Sequence, residues 1–494
     1  MQLDQLASGL TAPDLDLPNG FGDLAISGLT ADSREVKPGF LFAALKGVQV
    51  DGTKFAGSAV EAGAVAVLCA SEAVARLQSE LPGDVVVMGS SDPRRALALL
   101  AAHFHSGQPQ ILVAVTGTSG KTSVAHFVRQ IFQSAGHAAA SLGTIGTVTA
   151  DGRVYGGLTT PDPVALHAEL HKLENDGVTH VALEASSHGL DQHRLDGVRI
   201  AAAGFTNLGR DHMDYHSTIE DYLSAKLRLF KDLLPNGGAV VVDPGEAYAD
   251  RVIAIAQERG LHLFTVGETG KDITLTGLRQ AGFGQVLNLQ TPRGEFTVTL
   301  PLIGRFQVSN ALIAAGLAIA VGHETGLVLR ALENLKGAPG RLEFAGRTQN
   351  GAMVVIDYAH KPDALENALA ALRPFTDGKL SVIIGAGGDR DPGKRLLMGQ
   401  AAAEKADLVI VTDDNPRSED PALIRKAVLE GAPDALEVAD RGEAIRTAIS
   451  RLQQGDVLCV AGKGHETGQI VGDTVLPFSD HEAVVKAIAM GGHE

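Results

Sequence analysis

Apolar residues fall in short unbroken blocks, each closed by a glycine-rich or polar loop and followed by an amphipathic stretch. ILVAV, then GTSG, then KTSVAHFVRQIFQSAG is one such unit. A run that is apolar at every position predicts a strand covered on both faces, so the pattern implies a parallel sheet flanked by helices. HVALEASS, AAAGFTN and GAVVVD read as further strands of that sheet. Before them, residues 1–107 carry shorter runs, AVAVLCA and DVVVMG, around a loop-rich stretch, DSREVKPGFLFAALKGVQVDGTKF, and end in the turn HSGQPQ. Beyond GAPGRLE the alternation resumes in MVVIDYAH, LSVIIGAGGDRD, DLVIVTDDNPR and DVLCVAGKGHE. The expected fold class is α/β in three domains. A smaller α/β domain covers 1–107, a phosphate-loop-type parallel sheet with helices covers 108–338, and a Rossmann-like α/β domain covers 339–494. Ligands of open α/β sheets bind outside the carboxyl ends of the strands, where all four polar loops of the last domain fall. They are expected to build one site.

Composition narrows the class of partner. A chain of 494 residues fits three domains at roughly 150 residues each. Lys plus Arg is 42 against 58 for Asp plus Glu, a net charge of −16, which argues against a polyanion such as nucleic acid or an anionic membrane surface. Trp is absent and aromatics are 4%, so a stacking platform for bases or sugars is not expected. The opening MQLDQLASGL lacks the basic and apolar segments of a secretory signal. The most apolar helix-like run, Ala311 to Gly322, is shorter than the ~20 residues of a membrane span. Cys69 and Cys459 lie inside apolar runs and read as reduced core residues, which together with the other signs implies a cytoplasmic protein.

AVTGTSGKTS, Ala114 to Ser123, joins a buried strand to a helix. Gly117 and Gly120 allow the tight turn that aims the N–H groups of Thr118, Ser119 and their neighbours at phosphate oxygens, with the helix N-terminus adding its dipole. Lys121 is placed for the terminal phosphates of ATP and Thr122 for Mg²⁺, with Ser123 following. Val115 stands six residues before Lys121, where the general phosphate loop has glycine, so this is the shorter GTxGKT[ST] form. Glu184 just past one predicted strand and His212 after another fall on the same carboxyl edge, and Lys226 follows on a helical segment.

GTSGKTS, TTPDP, EASSHGLDQHR, TNLGRDHMDYH, VSNALIAAG, GAPGRLE, DYAHKPDAL, GGDRDPGKR, DDNPR and AGKGHE occur in the order found in the Mur ligases, which the chain resembles over nearly its whole length. The resemblance is strongest to the branch that adds the third amino acid of the peptidoglycan stem peptide to UDP-N-acetylmuramoyl-L-alanyl-D-glutamate. It implies an ATP-dependent, ADP-forming ligase that phosphorylates the substrate carboxylate and lets an amine attack the acyl phosphate. By residue, it implies Lys121 for the ATP phosphates, Thr122 and Glu184 for a first Mg²⁺, His212 for a second, and Lys226 as a carbamylated lysine (N6-carboxylysine) acting as a metal ligand. A carbamate would supply the anionic oxygen that a bare ammonium cannot. Asn310, Arg341 and His360 match positions around the adenine and the phosphates. Ala31, Ser33 and the turn Val48–Gln49–Val50 match the uridine segment. Thr159, Thr160, Ser186, Gln192 and Arg194 match contacts to the muramoyl dipeptide, while Leu158 stands where some relatives carry Asn. The domains thereby acquire expected ligands: UDP for the first, ATP for the second and the amino acid for the third. A monomer is expected.

A diamino-dicarboxylic acid carries an amino-acid head at its far end, so its recognition calls for a planar two-donor cation beside acceptors. Asp414–Asn415–Pro416–Arg417 offers these in one turn, Arg390 adds a second cation, and Gly462 and Glu466 offer close backbone approach and an anion for the ammonium. The DNPR form resembles the meso-diaminopimelate-adding enzymes, and lysine-adding relatives lack this Arg. A lysine-adding ligase is the alternative acceptor reading.

Overall fold

The structure, a computed structural model, describes residues 1–8, 10, 15–16, 23–47, 50–209, 211–213 and 215–490. Val48 and Gln49 of the expected uridine turn lie outside the described residues. Two compact units divide the chain: Met1–Thr274 with Leu312–Val328, and Leu275–Ala311 with Leu329–Glu494.

The first unit holds two sheets. In the first sheet, Gly28–Thr30, Phe40–Ala43, Ala64–Ala70 and Val86–Ser90 run parallel in that order, and Leu15–Asp16 pairs antiparallel with the last. AVAVLCA buries Ala66, Val67, Leu68 and Cys69 almost completely, as an unbroken apolar run requires in a central strand. Both cysteines are free and buried.

The second sheet has eleven strands. Ile273–Ala281, Gly284–Thr291 and Gly294–Leu300 extend it beyond His262–Gly267, the last two pairing antiparallel. His262–Gly267, Ala239–Val242, Ile200–Phe205, Ile111–Thr116, His180–Glu184 and Ala139–Gly143 run parallel in that order. The short strands Gly146–Val148 and Arg153–Val154 then continue it antiparallel. The expected sheet was parallel throughout. GTVTADGRV has no buried apolar run, since Gly146 alone is buried in its two strands, and this antiparallel hairpin therefore carries no strand signal. Ile111–Thr116 sits in the middle, and the helix Lys121–Ser134 that follows buries Val124, Phe127, Val128, Ile131 and Phe132. The phosphate loop is thus held between two rigid, buried elements. Glu184 is the last residue of its strand, one position earlier than the sequence placed it.

In the second unit, Met353–Asp357, Val457–Ala461, Leu380–Ile384, Leu408–Val411 and Leu436–Glu437 run parallel in that order, with Glu343–Arg347 antiparallel at one edge. Its core forms on both faces of this sheet, through Val355, Val382 and Cys459 on one side and Ile356, Ile383 and Val460 on the other. No helix among the described residues is long and apolar enough to cross a membrane.

Candidate active site

Gly117 and Gly120 adopt φ values of +149° and +88°, and Gly120 caps the helix that begins at Lys121. A side chain at Gly117 would collide with the Thr206 hydroxyl, so this glycine is needed for space as well as conformation. The loop is tied from below: Ser119 N–H donates to Asn207 Oδ1 at 3.0 Å, and the Thr206 hydroxyl donates to Ser119 O at 2.6 Å. Lys121 Nζ donates to Gly117 O and Thr118 O at 2.8 and 2.9 Å.

The Thr122 hydroxyl donates to Glu184 Oε2 at 2.9 Å, across 62 residues of chain. Thr144 N–H donates to Glu184 Oε1 at 2.8 Å and its hydroxyl donates to Oε2 at 3.1 Å. A buried carboxylate is therefore fixed against the first turn of the phosphate-loop helix, and a side chain at Gly143 would displace it. This hydroxyl and carboxylate form an oxygen donor set suited to Mg²⁺.

Lys226 lies on the helix Ile219–Arg228, whose start is fixed by a capping box between Thr218 and Asp221. Its side chain is buried, donates to Gly117 O at 2.7 Å, and stands 4.2 Å from the centroid of the Tyr222 ring. Burial drives the ammonium well below the ordinary lysine range, the Lys121 charge pushes it further down, and Asp211 opposes. A neutral amine in this position is a nucleophile for CO₂, and the resulting carbamate would add oxygen donors beside the loop. The Tyr222 hydroxyl shares a 3.2 Å hydrogen bond with Thr118 Oγ1, and burial raises its pKa to about 12, so it remains neutral. His212 has φ of +54°, is half-exposed, lies 4.9 Å from the His188 ring and has Asp211 Oδ2 3.6 Å from its Nε2.

The expected dipeptide contacts form one hydrogen-bonded group. Thr160 Oγ1 donates to Glu184 O at 2.8 Å and accepts from Ser186 N–H and Oγ at 3.0 Å each. Ser186 caps the short helix Ser187–Asp191. Arg194 donates to Thr160 O at 2.7 Å and to Gln192 Oε1 at 2.8 Å, and Thr159 Oγ1 lies 2.9 Å from Thr144 Oγ1. Leu158 is exposed beside this group. Ala31 and Ser33 follow the strand Gly28–Thr30, with Asp32 capping the turn Ser33–Glu35.

In the second unit Asn310 Nδ2 donates to Gln307 Oε1 at 3.0 Å, and Gln307 Nε2 donates to Arg341 O at 3.2 Å. The Arg341 guanidinium stands 4.9 Å from the Tyr358 ring centroid, and His360 Nδ1 lies 2.8 Å from Tyr358 O. Asn310, Arg341 and His360, far apart in sequence, thus share one neighbourhood. Arg341 Nε is buried and makes no hydrogen bond with a described group.

The loops after Leu380–Ile384, Leu408–Val411 and Val457–Ala461 also converge. Asn415 O accepts from Gly388 N–H at 2.9 Å, and Arg417 Nη1 donates to Gly388 O at 2.7 Å. Asn415 Nδ2 donates to Glu466 Oε2 at 2.9 Å. A fully buried Lys463, absent from the sequence expectation, donates to Asn415 Oδ1 at 2.9 Å and to Glu466 Oε2 at 3.2 Å, with Asp414 Oδ1 at 3.6 Å. A side chain at Gly462, whose φ is +121°, would stand 2.9 Å from Asp414 Oδ2, so close approach there requires glycine. Arg390 is exposed at the rim and Arg417 adopts φ of +52°.

These features define an α/β protein with a phosphate loop on one sheet and a charged acceptor nest on another. Family models match as Mur ligase family, catalytic domain (residues 25–105), Mur ligase middle domain (115–318) and Mur ligase, glutamate ligase domain (340–464). The chain belongs to the Mur ligase family, with its three-domain α/β fold. It is 54% identical to a UDP-N-acetylmuramoyl-L-alanyl-D-glutamate–2,6-diaminopimelate ligase of Agrobacterium fabrum over 89% of this chain and 88% of the relative. It is 55% identical to the protein of the same description from Bradyrhizobium diazoefficiens, over 89% and 90%. A solved structure of a ligase so described superposes over 100% of both chains with a TM-score of 0.73 and 33% identity.

Proposed function

We propose that this protein is the ADP-forming ligase that joins 2,6-diaminopimelate to the D-glutamate of UDP-N-acetylmuramoyl-L-alanyl-D-glutamate, in peptidoglycan precursor synthesis. The observation that carries the reading is the identity of 54% to a ligase of that description across 89% of the chain. ATP phosphorylates the glutamate carboxylate: an oxygen–phosphorus bond forms and ADP leaves. The diaminopimelate amine then forms the amide bond, phosphate leaves and the amine proton is released.

Lys121 and the loop N–H groups bind and orient the ATP phosphates. Asn310, Arg341 and His360 are the further candidates for contacts to the adenine and the phosphates. Thr122, Glu184, His212 and carbamylated Lys226 would hold Mg²⁺, which when bound neutralises charge on the transferring phosphoryl group. Thr159, Thr160, Ser186, Gln192 and Arg194 orient the dipeptide, and Ala31 and Ser33 the uridine. Arg417 and Arg390 bind the distal carboxylate of diaminopimelate, while Asp414, Asn415, Pro416, Gly462 and Glu466 shape the acceptor for its ammonium. The meso isomer, a monomeric state, a cytoplasmic location and the domain limits 1–107, 108–338 and 339–494 belong to the same proposal. Mass spectrometry of a reaction with ATP, the UDP-muramoyl dipeptide and meso-diaminopimelate tests it: the UDP-muramoyl tripeptide should form, and its absence under saturating substrates would refute the reading.

A further inference from the structure

His137, His180 and His323 are brought together from three separate segments, with one ring nitrogen from each lying within 4.8 Å of the other two. His137 sits in the turn after the phosphate-loop helix, His180 opens the strand His180–Glu184, and His323 sits in the turn after the helix Arg305–Ala320. Ring centroids are 4.0 Å apart for His137 and His180, 5.0 Å for His137 and His323, and 5.4 Å for His180 and His323. The backbone of each is pinned: His137 N–H donates to Phe132 O at 3.1 Å, His180 N–H to Ala138 O at 3.2 Å, and His323 N–H to Ala318 O at 3.2 Å. None of the three is among the residues of the candidate ligase site.

We propose that these three histidines bind a single borderline divalent transition-metal ion of the zinc class, which braces the base of this sheet. The donor set is three imidazoles without a carboxylate or a thiolate, which selects zinc, nickel, cobalt or copper over magnesium and calcium. Zn–N bonds of about 2.0–2.1 Å put tetrahedral ligand nitrogens roughly 3.3 Å apart, so the cluster closes on an ion by small rotations of the two turn histidines. A supporting hydrogen bond is in place. The Thr179 hydroxyl donates to Ala138 O at 3.2 Å and lies 2.9 Å from His180 Nδ1, so it accepts the Nδ1 proton and leaves Nε2 as the ligand. Phe132 closes the apolar side of the cluster, 4.7 Å from His180 and 5.1 Å from His323 between ring centroids. The fourth position would be taken by water.

The cluster is separate from the candidate Mg²⁺ site, since His180 and Glu184 stand at opposite ends of one five-residue strand, about 13 Å apart at the usual rise. An ion there would tie the far end of the phosphate-loop helix to the strand that carries Glu184.

The test uses full-length, tag-free protein stripped with chelator. Zn²⁺ is titrated by calorimetry in excess Mg²⁺, with Co²⁺ absorption as a second probe. Wild type is compared with His137→Ala, His323→Ala and Glu184→Gln. One Zn²⁺ should bind wild type and Glu184→Gln alike and at least tenfold more weakly to each histidine variant. Zn²⁺ should raise Tm in wild type and not in His323→Ala. The wild-type Co²⁺ spectrum should be that of a tetrahedral nitrogen site, a readout independent of how well any variant folds. Equal Zn²⁺ affinity in wild type and the histidine variants, loss of the site in Glu184→Gln, or binding that Mg²⁺ displaces would overturn the proposal.

Discussion

The Thr122 hydroxyl donates to the Glu184 carboxylate at 2.9 Å, joining the first turn of the phosphate-loop helix to the end of the neighbouring strand. Two residues expected to share a metal are thus preorganised by each other, with Thr144 holding the carboxylate from its other side. Glu184→Gln preserves the shape and removes the charge. It should lower kcat about 100-fold or more and shift the Mg²⁺ dependence to higher concentration, since even outer-shell changes at metal sites cost 10–100-fold. ADP release measured against Mg²⁺ concentration checks both effects.

Lys226 supplies the second prediction. Its amine is buried against Gly117 O, and an ammonium there cannot ligate a cation. Enzyme stripped of CO₂ should lose most of its activity and regain it on addition of bicarbonate. Lys226→Ala should be inactive in both conditions. A Lys226→Ala enzyme with full turnover would remove the carbamate from the account.

The same burial has a signature in stability. The folded-state pKa of Lys226 is depressed below the ordinary lysine value of 10.5, so between the two values the unfolded chain binds more protons and stability rises with pH. In CO₂-free buffer, Lys226→Met should therefore be more stable than wild type at neutral pH, by about 1–3 kcal/mol, the usual cost of an incompletely compensated buried polar group. The difference should shrink as pH rises toward 10.5. Urea denaturation across this range reads it directly.

Arg417 is held in position by Gly388 O and by backbone hydrogen bonds to Ile470 and Gly472. Arg417→Ala should raise KM for diaminopimelate far more than for ATP. Loss of a desolvated charge partner costs about 2–5 kcal/mol, roughly thirtyfold to several thousandfold in kcat/KM. Arg417→Lys should recover only part of this, because an ammonium cannot form the two-pronged contact. Initial rates with each substrate varied in turn separate the two KM values.

Much of this architecture is legible in the sequence because buried parallel strands write themselves as unbroken apolar runs. ILVAVT followed by GTSGKTS specifies strand, loop and helix start within thirteen residues, and the structure places them accordingly. The supporting residues are harder to find. Thr144, Asn207 and Tyr222 act through contacts to residues 40, 88 and 104 positions away; Asn207 lies inside the motif TNLGRDHMDYH, while nothing in the local sequence of Thr144 or Tyr222 distinguishes them from ordinary loop or helix residues. Lys463 lies inside the motif AGKGHE, yet a lysine between glycines reads as a solvated loop cation. Only the fold shows it fully buried among Asp414, Asn415 and Glu466. The histidine cluster is invisible for the same reason, since its members come from three segments separated by 43 and 143 residues, counted from 137 to 180 and from 180 to 323.

The most direct test of the assigned activity is phosphate release by the purified enzyme with ATP and the UDP-muramoyl dipeptide, comparing meso-diaminopimelate, L-lysine and no amino acid. Turnover should require all three substrates, with kcat/KM for diaminopimelate exceeding that for lysine by at least a hundredfold, on the order of the 2–5 kcal/mol that a lost charged partner costs. Equal or better turnover with lysine, or phosphate release independent of the dipeptide, would contradict the account.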